Sequence, residues 1–477
     1  MTPDAAELAK KLVETQVALN IVWTLVTGFL VMFMQAGFAL VETGLTRAKN
    51  VAHTMGMNFL VYALAMLGYW ATGFALQMGG VGALGTFGGD TTLSHELAIT
   101  IAGRDYGIMG SKGFFLTAVN YTPAVAAMFL FQMVFMDTAA TVPTGAMAER
   151  WKFSSFAIFS VLMGAFIYPI YGNWVWGGGW LSQLGAMHGL GHGHVDFAGS
   201  SVVHMTGGVA ALIGARALGP RVGKYGRDGT PRAIPGHNVP MAVLGTFILA
   251  FGWFGFNAGS SLSGMEPRIA IIATNTMLAS AAGAVSACCW VWRQWGKPDV
   301  TMMCNGLLAG AVAITAPCAF VGAPASVLIG AIAGILVVVA TRIIEEKLRV
   351  DDPVGAIAVH CVNGTWGVLA LGLLADGSYG EGWNGVKGPV RGLLYGDVRQ
   401  FVAQCVGVVA NFVFVATVVS IILWFLDRLI GNRTSADDEV AGLDVPEMGL
   451  EGYSREMLGM PEPPPPPPIS IRPRITR

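Results

Sequence analysis

Asp196-Phe-Ala-Gly199-Ser-Ser-Val-Val-His204-Met-Thr-Gly-Gly208 is matched later in the chain by Asp352-Pro-Val-Gly355-Ala-Ile-Ala-Val-His360-Cys-Val-Asn-Gly364. Both stretches read D-x2-G-x4-H-x3-G, and each opens a long apolar run, so each histidine lies well inside a hydrophobic segment. An ionisable side chain at that depth is costly and marks a functional position by default. Two such residues at matched positions of a repeat predict one shared site.

The composition around these stretches is that of an integral membrane protein. Of the 477 residues, 54% are hydrophobic and only 12% are charged, whereas a soluble protein carries about a quarter charged residues. The formal net charge of -1 indicates no nucleic-acid partner. The six cysteines form no C-x-x-C pair, so we expect reduced packing residues, no metal or redox site and no cofactor.

The apolar runs predict the number of membrane spans. A hydrocarbon core of ~30 Å needs roughly 20 apolar residues per helix, and runs of this kind are too long for barrel strands. The sequence therefore predicts an all-α integral membrane protein with eleven transmembrane helices. The expected spans are 20–43, 54–77, 118–146, 153–171, 199–219, 238–260, 269–291, 302–321, 324–346, 354–375 and 399–428.

The positive charges predict the orientation in the membrane. Fourteen Lys and Arg residues lie in the connections after spans 1, 3, 5, 7 and 9, against six after the even spans. Because cytoplasmic loops carry the excess of Lys and Arg, we expect the N-terminus outside the inner (plasma) membrane and the C-terminus inside. The chain then divides into a transmembrane domain, 1–430, and a cytoplasmic tail, 431–477, with a Pro-rich end at 463–468.

This topology gives the repeat a direction. His204 falls in span 5 and His360 in span 10, so a unit of five spans is followed by an inverted copy. Each histidine lies eight residues beyond its aspartate, which is roughly 12 Å along a helix. Since the two spans run in opposite directions, both histidines come near the midplane. An inverted five-plus-five helix repeat with a midplane site is typical of transporters.

The histidine pair allows three interpretations. The two side chains could be polar residues satisfied by packing, or they could bind a metal, although zinc takes three or four protein ligands. The third interpretation is a hydrogen-bonded imidazole pair that lines a narrow pore, mostly neutral and sharing at most one proton. Such a pair could accept a proton from a small permeant base or pass one beside it.

Two long outer connections carry further candidates. Residues 78–117 are Gly-rich, and we expect a partly ordered loop. In the connection 172–198, Trp176 precedes three glycines, where its indole could lie open to water and attract a cation by ~0.5–2 kcal/mol. The same connection holds His188, His192 and His194, for which a surface metal site competes with a flexible loop near a vestibule.

Aromatic residues recur at helical spacing in two other spans. Phe131 and Phe135 are four residues apart and share a helix face, and Phe256 and Ser260 have the same spacing. Taken alone, each of these residues is better explained by core packing or anchoring at the membrane interface.

Taken together, these segments resemble the ammonium transporter family (Amt/Rh) over residues from about 20 to 453. Trp176-Gly-Gly-Gly179 and the tail segment from Gly442 to Tyr453 favour the Amt branch. The segments that carry the resemblance are the two Asp-to-His stretches, Phe131-Gln-Met-Val-Phe135, Gly145-Ala-Met-Ala-Glu149-Arg150, Trp176-Gly-Gly-Gly179, Trp253-Phe-Gly-Phe256-Asn-Ala-Gly-Ser260 and Gly442-Leu-Asp-Val-Pro-Glu447-Met-Gly-Leu-Glu-Gly-Tyr453.

The resemblance implies a homotrimer with one ammonium/ammonia pore in each subunit. It implies an ammonium recruitment site at Trp176, Phe131 and Ser260, a gate at Phe135 and Phe256, pore histidines at His204 and His360, and a buried acid, Asp196, that shapes the outer vestibule and favours a cation. It also implies contact with membrane lipid and a PII-type signal protein at the cytoplasmic face. Met448 and Leu450 depart from the tail pattern, where His and Glu are usual.

The leading hypothesis is a channel-like ammonium/ammonia transporter. An ammonium sensor (transceptor) on the same scaffold is the alternative, and a Rh-like gas channel is a third. A polytopic enzyme is disfavoured because no nucleophile constellation accompanies the histidines.

Overall fold

The computed structural model describes residues 5–79, 85–87, 96–117 and 122–454. The Pro-rich end of the tail lies outside these residues. Within them, ten helices are long and apolar enough to cross a membrane, and α8 is a shorter apolar helix of 15 residues. The helices are α1 (Ala5–Leu45), α2 (Ala48–Met78), α3 (Pro123–Met147), α4 (Phe153–Trp176), α5 (Ser200–Leu218), α6 (Val239–Ala258), α7 (Arg268–Trp295), α8 (Val300–Ile314), α9 (Ala323–Glu346), α10 (Ile357–Leu374) and α11 (Val398–Leu429).

Each predicted apolar run corresponds to one of these helices, so the expectation of an all-helical, multi-pass membrane protein is confirmed. Two boundaries differ by seven residues or more, the start of α1 and the end of α8. Helix α1 begins at Ala5, and its exposed first turns carry the ion pairs Lys11–Glu7 and Lys10–Glu14, which support an isolated helix at a spacing of four residues. Helix α8 ends before the predicted residue 321 because Pro317 lacks the N–H that a helix requires and restricts the residue before it.

Part of the predicted Gly-rich loop is a β-hairpin. Strands β1 (Glu96–Ile101) and β2 (Arg104–Gly110) pair antiparallel, while residues 80–84 and 88–95 of the same connection lie outside the described residues. The two residues between the strands, Ala102 and Gly103, both have positive φ, which matches the twist of a tight hairpin. The hairpin packs on the C-terminal end of α4, where Gly107 O accepts a hydrogen bond from the backbone of Trp180.

The glycines of the repeated motif explain how α5 and α10 meet. Gly199 and Gly355 have φ of 114° and 79°, a left-handed conformation that side chains disfavour. Gly208 and Gly364 lie at the crossing of the two helices. A Cβ atom at Gly208 would lie 2.2 Å from the backbone N of Cys361, and one at Gly364 would lie 2.6 Å from the carbonyl O of Ser200. The motif therefore sets two backbones in contact, in a reciprocal arrangement that fits an inverted repeat.

Buried ion pairs join the connections at one end of the bundle. Glu149 has no exposed side-chain surface and pairs with Arg47 and Arg221. Arg221 also binds Asp351 through its Nε and Nη2 atoms at 2.8 and 2.9 Å. Burial raises the pKa of Asp351, but the Arg221 hydrogen bonds and the charge of Arg150 lower it more, and the carboxyl stays well below its usual range. These charges hold the loops after α1, α3 and α5 and the segment before α10 together.

The described part of the tail, 431–454, packs on the same end of the bundle. The carboxylate of Asp444 accepts a hydrogen bond from the backbone N of His53 at 2.9 Å. Met448, which departs from the family pattern, places its methyl group where any side chain at Gly56 would lie. The tail thus contacts the first turns of α2, and it also reaches the connection after α5, where the backbone N of Val222 donates a hydrogen bond to Oε1 of Glu439.

Candidate functional site

A cavity of about 210 Å³ opens on one side of the bundle, large enough for several water-sized molecules. Its wall includes five of the predicted site residues, Phe131, Phe135, Trp176, Asp196 and Ser260. They come from α3, the end of α4, the segment before α5 and the segment directly after α6. The structure therefore brings together residues that lie up to 129 positions apart in the sequence, from 131 to 260.

Trp176 differs from its predicted setting. It is the last residue of α4 and is half-buried, whereas the sequence suggested an indole in an open loop. Its Nε1 donates a hydrogen bond to the carbonyl O of Asp196 at 2.7 Å, which fixes the ring at the wall of the cavity. The ring lies 6.2 Å from that of Phe135, at an angle of 74°. The indole is thus held in place, and part of its surface remains exposed to the cavity.

Stacked phenylalanines form the floor of this cavity. The rings of Phe135 and Phe256 lie 4.2 Å apart and 26° from parallel, and Phe131 lies 4.6 Å from Phe135. Phe135 is 1% exposed and Phe256 is fully buried. Rings at stacking distance leave no open channel between them, so a solute that passes from the cavity requires the rings to move.

The two histidines lie directly beyond the stacked rings. The imidazole of His204 stacks on Phe256 at 5.2 Å and 21°. Its Nδ1 lies 3.2 Å from Nδ1 of His360, so one ring donates a hydrogen bond and the other accepts it. The matched Asp-to-His spacing predicted this meeting. Within the described residues, Nε2 of His204 is buried without a hydrogen-bond partner.

Each histidine follows an aspartate that caps its helix. The Asp196 carboxylate accepts hydrogen bonds from the backbone N atoms of the next turn, residues 199–202, at 2.7–3.1 Å. The Asp352 carboxylate does the same for Val354, Gly355 and Ile357. An ionised side chain is stabilised at such a helix start by the unpaired N–H groups and the helix dipole. Asp196 therefore positions the turn that carries His204, in addition to lining the cavity.

Sequence reasoning assigned no role to two aromatic residues beside the histidines. The indole of Trp253 stacks on His204 at 5.5 Å and 29°, and Phe38 lies 6.1 Å from His360. Trp253 precedes Phe256 by three residues, so the helical spacing already placed both on one face. Phe38 belongs to a different helix, and its position depends on how α1 meets α10.

A small cavity of about 20 Å³ lies on the other side of the histidine pair. Its lining includes His360, Phe38 and Glu42. The column of side chains thus runs from the 210 Å³ cavity through Phe135, Phe256, His204 and His360 to the 20 Å³ cavity. Following the orientation that the sequence predicts, we refer to the 210 Å³ cavity as the outer cavity and to the 20 Å³ cavity as the inner chamber.

The three histidines of the connection before α5 do not form one cluster. His188 contacts Arg104 and Tyr106, whereas His192 binds the carbonyl O of Gly388. His194 is fully buried in the wall of the outer cavity, with Nε2 2.9 Å from the Oγ atom of Ser201. Burial lowers the pKa of His194 to about 4, although the charge of Asp196 acts in the opposite direction. Over the part of the chain that the structure describes, no group of three or more His, Cys, Asp and Glu residues could hold a metal ion.

Comparison with known proteins shows the same architecture elsewhere. Residues 22–453 match the sequence profile of the Ammonium Transporter Family. The chain is 48% identical to ammonium transporter Amt2 of Archaeoglobus fulgidus over 455 residues, which cover 94% of this chain and 91% of that protein. It is 36% identical to ammonium transporter Amt1 of Haloferax mediterranei, over 91% of this chain and 79% of that protein.

Solved structures are similar over most of their length. A structure titled "Sensor Amt Protein" superposes with a TM-score of 0.79 at 33% identity, covering 91% of this chain and 99% of that one. Saccharomyces cerevisiae Mep2 gives a TM-score of 0.75 at 26% identity, with 89% of each chain covered. Because the profile spans nearly the whole chain and the Archaeoglobus relative is 48% identical, the chain belongs to the Ammonium Transporter Family.

Proposed function

We propose that this protein transports ammonium/ammonia across the membrane by binding NH4+ in the outer cavity and passing the nitrogen along the aromatic and histidine column. The observation that carries the proposal is the continuity of that column. Successive rings from Phe135 through Phe256 and His204 to His360 lie 4.2, 5.2 and 5.2 Å apart. The related proteins named ammonium transporters support the choice of substrate.

The outer cavity suits a small cation. Trp176, Phe131 and Phe135 present aromatic rings to it, and a cation over such a face gains ~0.5–2 kcal/mol. Ser260 donates its hydroxyl proton to the carbonyl O of Phe256 at 2.7 Å, so the lone pairs of its oxygen remain available to a cation. The Asp196 carboxylate contributes negative charge from the wall. Together these groups provide recruitment for NH4+ while it loses part of its water.

The segment beyond the cavity suits a neutral molecule. Moving an isolated ion into a buried apolar environment costs far more than moving a neutral polar molecule. Phe135 and Phe256 act as the gate, and the His204–His360 pair supplies hydrogen-bonding nitrogens beyond it. NH4+ therefore gives a proton to water in the outer cavity before it passes the rings, so an N–H bond breaks and hydronium forms on the outer side. Ammonia then crosses the histidine pair.

A sensor on the same scaffold is the second candidate. The observation that favours it is the similarity to the structure titled "Sensor Amt Protein", together with a tail that packs directly on the first turns of α2 and α4. A change in the pore could reach a partner through this tail. In both proposals the tail faces the cytoplasm, where it binds a PII-type protein, and the protein is a homotrimer in the inner membrane.

Ammonium pulses applied to proteoliposomes test the transport proposal. The purified protein is reconstituted, and current and lumenal pH are recorded after addition of ammonium, with potassium pulses and protein-free liposomes as controls. Transport predicts a saturable lumenal pH change that requires protein and that potassium does not produce. A response equal to that of protein-free liposomes would contradict transport and leave the sensor as the remaining candidate.

A further inference from the structure

Glu42 is a buried acid near the end of α1 that the transport proposal does not use. Glu42 is 3% exposed and lies within one turn of Leu45, the last residue of α1. Among the described residues its carboxylate forms no ion pair. Acids inside membrane helices are rare and mark ion or proton pathways.

The inner chamber brings Glu42 to the end of the column. Both Glu42 and His360 line this 20 Å³ space, together with the apolar side chains of Phe38, Val142 and Leu249. A cavity needs at least ~10–15 Å³ to hold one water molecule, and ammonia is similar in size. The chamber therefore accommodates one small molecule between the acid and the histidine.

The hydrogen bonds of Glu42 allow it to hold or release a proton. Asn58 Nδ2 donates to Oε2 at 2.6 Å, and Thr144 Oγ1 lies 2.9 and 2.8 Å from the two carboxylate oxygens. The same Thr144 hydroxyl lies 2.6 Å from the carbonyl O of Thr141. It can therefore donate to the ionised acid, or turn to Thr141 and accept from the protonated acid. Both protonation states keep a hydrogen-bond partner.

The other titratable groups that bear on Glu42 are less suited to proton exchange. Asp352 repels the ionised form of Glu42, but its own carboxylate is occupied by the backbone N atoms of the α10 cap. His360 shares a hydrogen bond with His204. The neighbouring helices α2, α3 and α8 contribute neutral groups, of which Asn305 of α8 also lines the inner chamber.

We propose that Glu42 is the proton-exchange residue at the inner end of the pathway, an inference that rests on the proposed function. Ammonia that leaves His360 accepts a proton from the Glu42 carboxylic acid, so an N–H bond forms and the O–H bond breaks. Ammonium then leaves toward the inner side. The resulting carboxylate takes a proton from hydronium on that side, which restores the acid. The sum of these steps is ammonia plus hydronium giving ammonium plus water.

Replacement of the acid by its neutral isostere tests this role. Glu42→Gln keeps the shape and an acceptor for Thr144 but cannot transfer a proton. Ammonium-driven flux into proteoliposomes is measured while the inner pH is varied at constant outer pH. We expect the wild-type flux to fall as inner pH rises, because the carboxylate is reprotonated more slowly. We expect Glu42→Gln to be slower by about a hundredfold or more, as for loss of a positioned acid, and to lack this dependence.

Asp137→Asn is the matched control. Asp137 is 2% exposed in α3 and its Oδ1 has no hydrogen-bond partner within the described residues. It follows Phe135 by two residues, which turns it about 200° around the helix, away from the column. We expect this variant to keep the wild-type flux and its dependence on inner pH. A loss equal to that of Glu42→Gln would assign the effect to the removal of any buried acid and overturn the proposal.

The outcomes separate the two proposals. If wild type carries no ammonium, the proposed function fails; if wild type carries it and Glu42→Gln retains both the flux and the dependence on inner pH, the inference about Glu42 alone fails. Glu42→Asp keeps a carboxylic acid on a side chain that is one methylene shorter. It tests proton exchange at position 42 if the Gln variant does not fold. Reduced flux with retained dependence on inner pH supports the proposal, and loss of that dependence with wild-type flux overturns it.

Discussion

Asparagine at position 196 would test whether Asp196 acts as a helix cap. Its carboxylate receives five hydrogen bonds in the structure. Oδ1 accepts from the backbone N atoms of Gly199 and Ser200 at 2.8 and 3.0 Å. Oδ2 accepts from the backbone N of Ser201 at 2.7 Å, from its Oγ at 2.7 Å and from the backbone N of Val202 at 3.1 Å. The best orientation of asparagine keeps its oxygen at the Oδ2 side.

The magnitude follows from the two hydrogen bonds that this orientation loses. The amide NH2 group then faces the N–H groups of Gly199 and Ser200, and hydrogen bonds to a charged group contribute about 1.5–3 kcal/mol each. Asp196→Asn should therefore destabilise the protein by roughly 3–6 kcal/mol. In Asp352→Asn, an oxygen kept at the Oδ1 side loses only the bond to Ile357, at 2.7 Å. That matched change should destabilise the protein by about half as much.

Thermal unfolding of the purified variants in one detergent measures both effects, and ammonium flux is recorded on the same preparations. We expect the midpoint to fall more for Asp196→Asn than for Asp352→Asn. Flux should fall as well, because the capped turn carries His204. An unchanged midpoint in Asp196→Asn, or an equal fall of the midpoint in both variants, would refute the role of Asp196 as a helix cap. Asp196 would then act only as a source of negative charge.

Three further predictions address the cavity, the histidines and the hairpin. Trp176→Leu should weaken selection of ammonium over potassium by about 1 kcal/mol without abolishing flux, measured by competition in proteoliposomes; unchanged competition would speak against an outer cation site. His204→Ala should reduce ammonium flux because the partner nitrogen loses its hydrogen bond, at a cost of about 1–3 kcal/mol, and His360→Asp should admit potassium; wild-type flux and selectivity in both would return the pair to a packing role. Burial raises the pKa of Glu96 to about 7 against the hydrogen bond from Asn173, so its contribution to hairpin docking is present below the unfolded value of 4.5 and is lost as pH rises through about 7. Amide exchange corrected for intrinsic rates should show hairpin protection falling between about pH 4.5 and 7 in wild type and not in Glu96→Gln, and identical profiles would contradict this.

The helices and the histidine pair could be predicted because each depends on a pattern within the sequence. Runs of about 20 apolar residues predict a membrane span by length alone. The helices α1 to α11 follow one another in the predicted order. The meeting of His204 and His360 followed from equal spacing to Asp196 and Asp352 in a repeat of inverted direction. The glycines of the repeated motif could also be read from the sequence. The close contact between α5 and α10 that requires them could not.

Other parts depend on contacts between distant segments, which a single sequence does not display. The β-hairpin was missed because its turn, Ala102-Gly103, is not one of the usual Asn-Gly or Asp-Gly pairs and lies in a Gly-rich connection. Glu42 stood out neither by spacing nor by motif, and its importance comes from sharing the inner chamber with His360 across 318 positions of sequence, from 42 to 360. The stacking of Trp253 on His204 likewise requires the packing of α6 on α5.

Both histidine-bearing helices begin in a widened turn of the π type, at Ser200–Met205 and Ile357–Val362. Such a turn accommodates one residue more than a regular helix. Deletion of a single residue from this turn would therefore leave a regular helix with the segment after it in register, but it would change the positions of the side chains within the turn, the imidazole of His204 among them. Single-residue insertions and deletions in these twelve positions are thus the sequence changes least compatible with the pathway, even where every remaining side chain is identical.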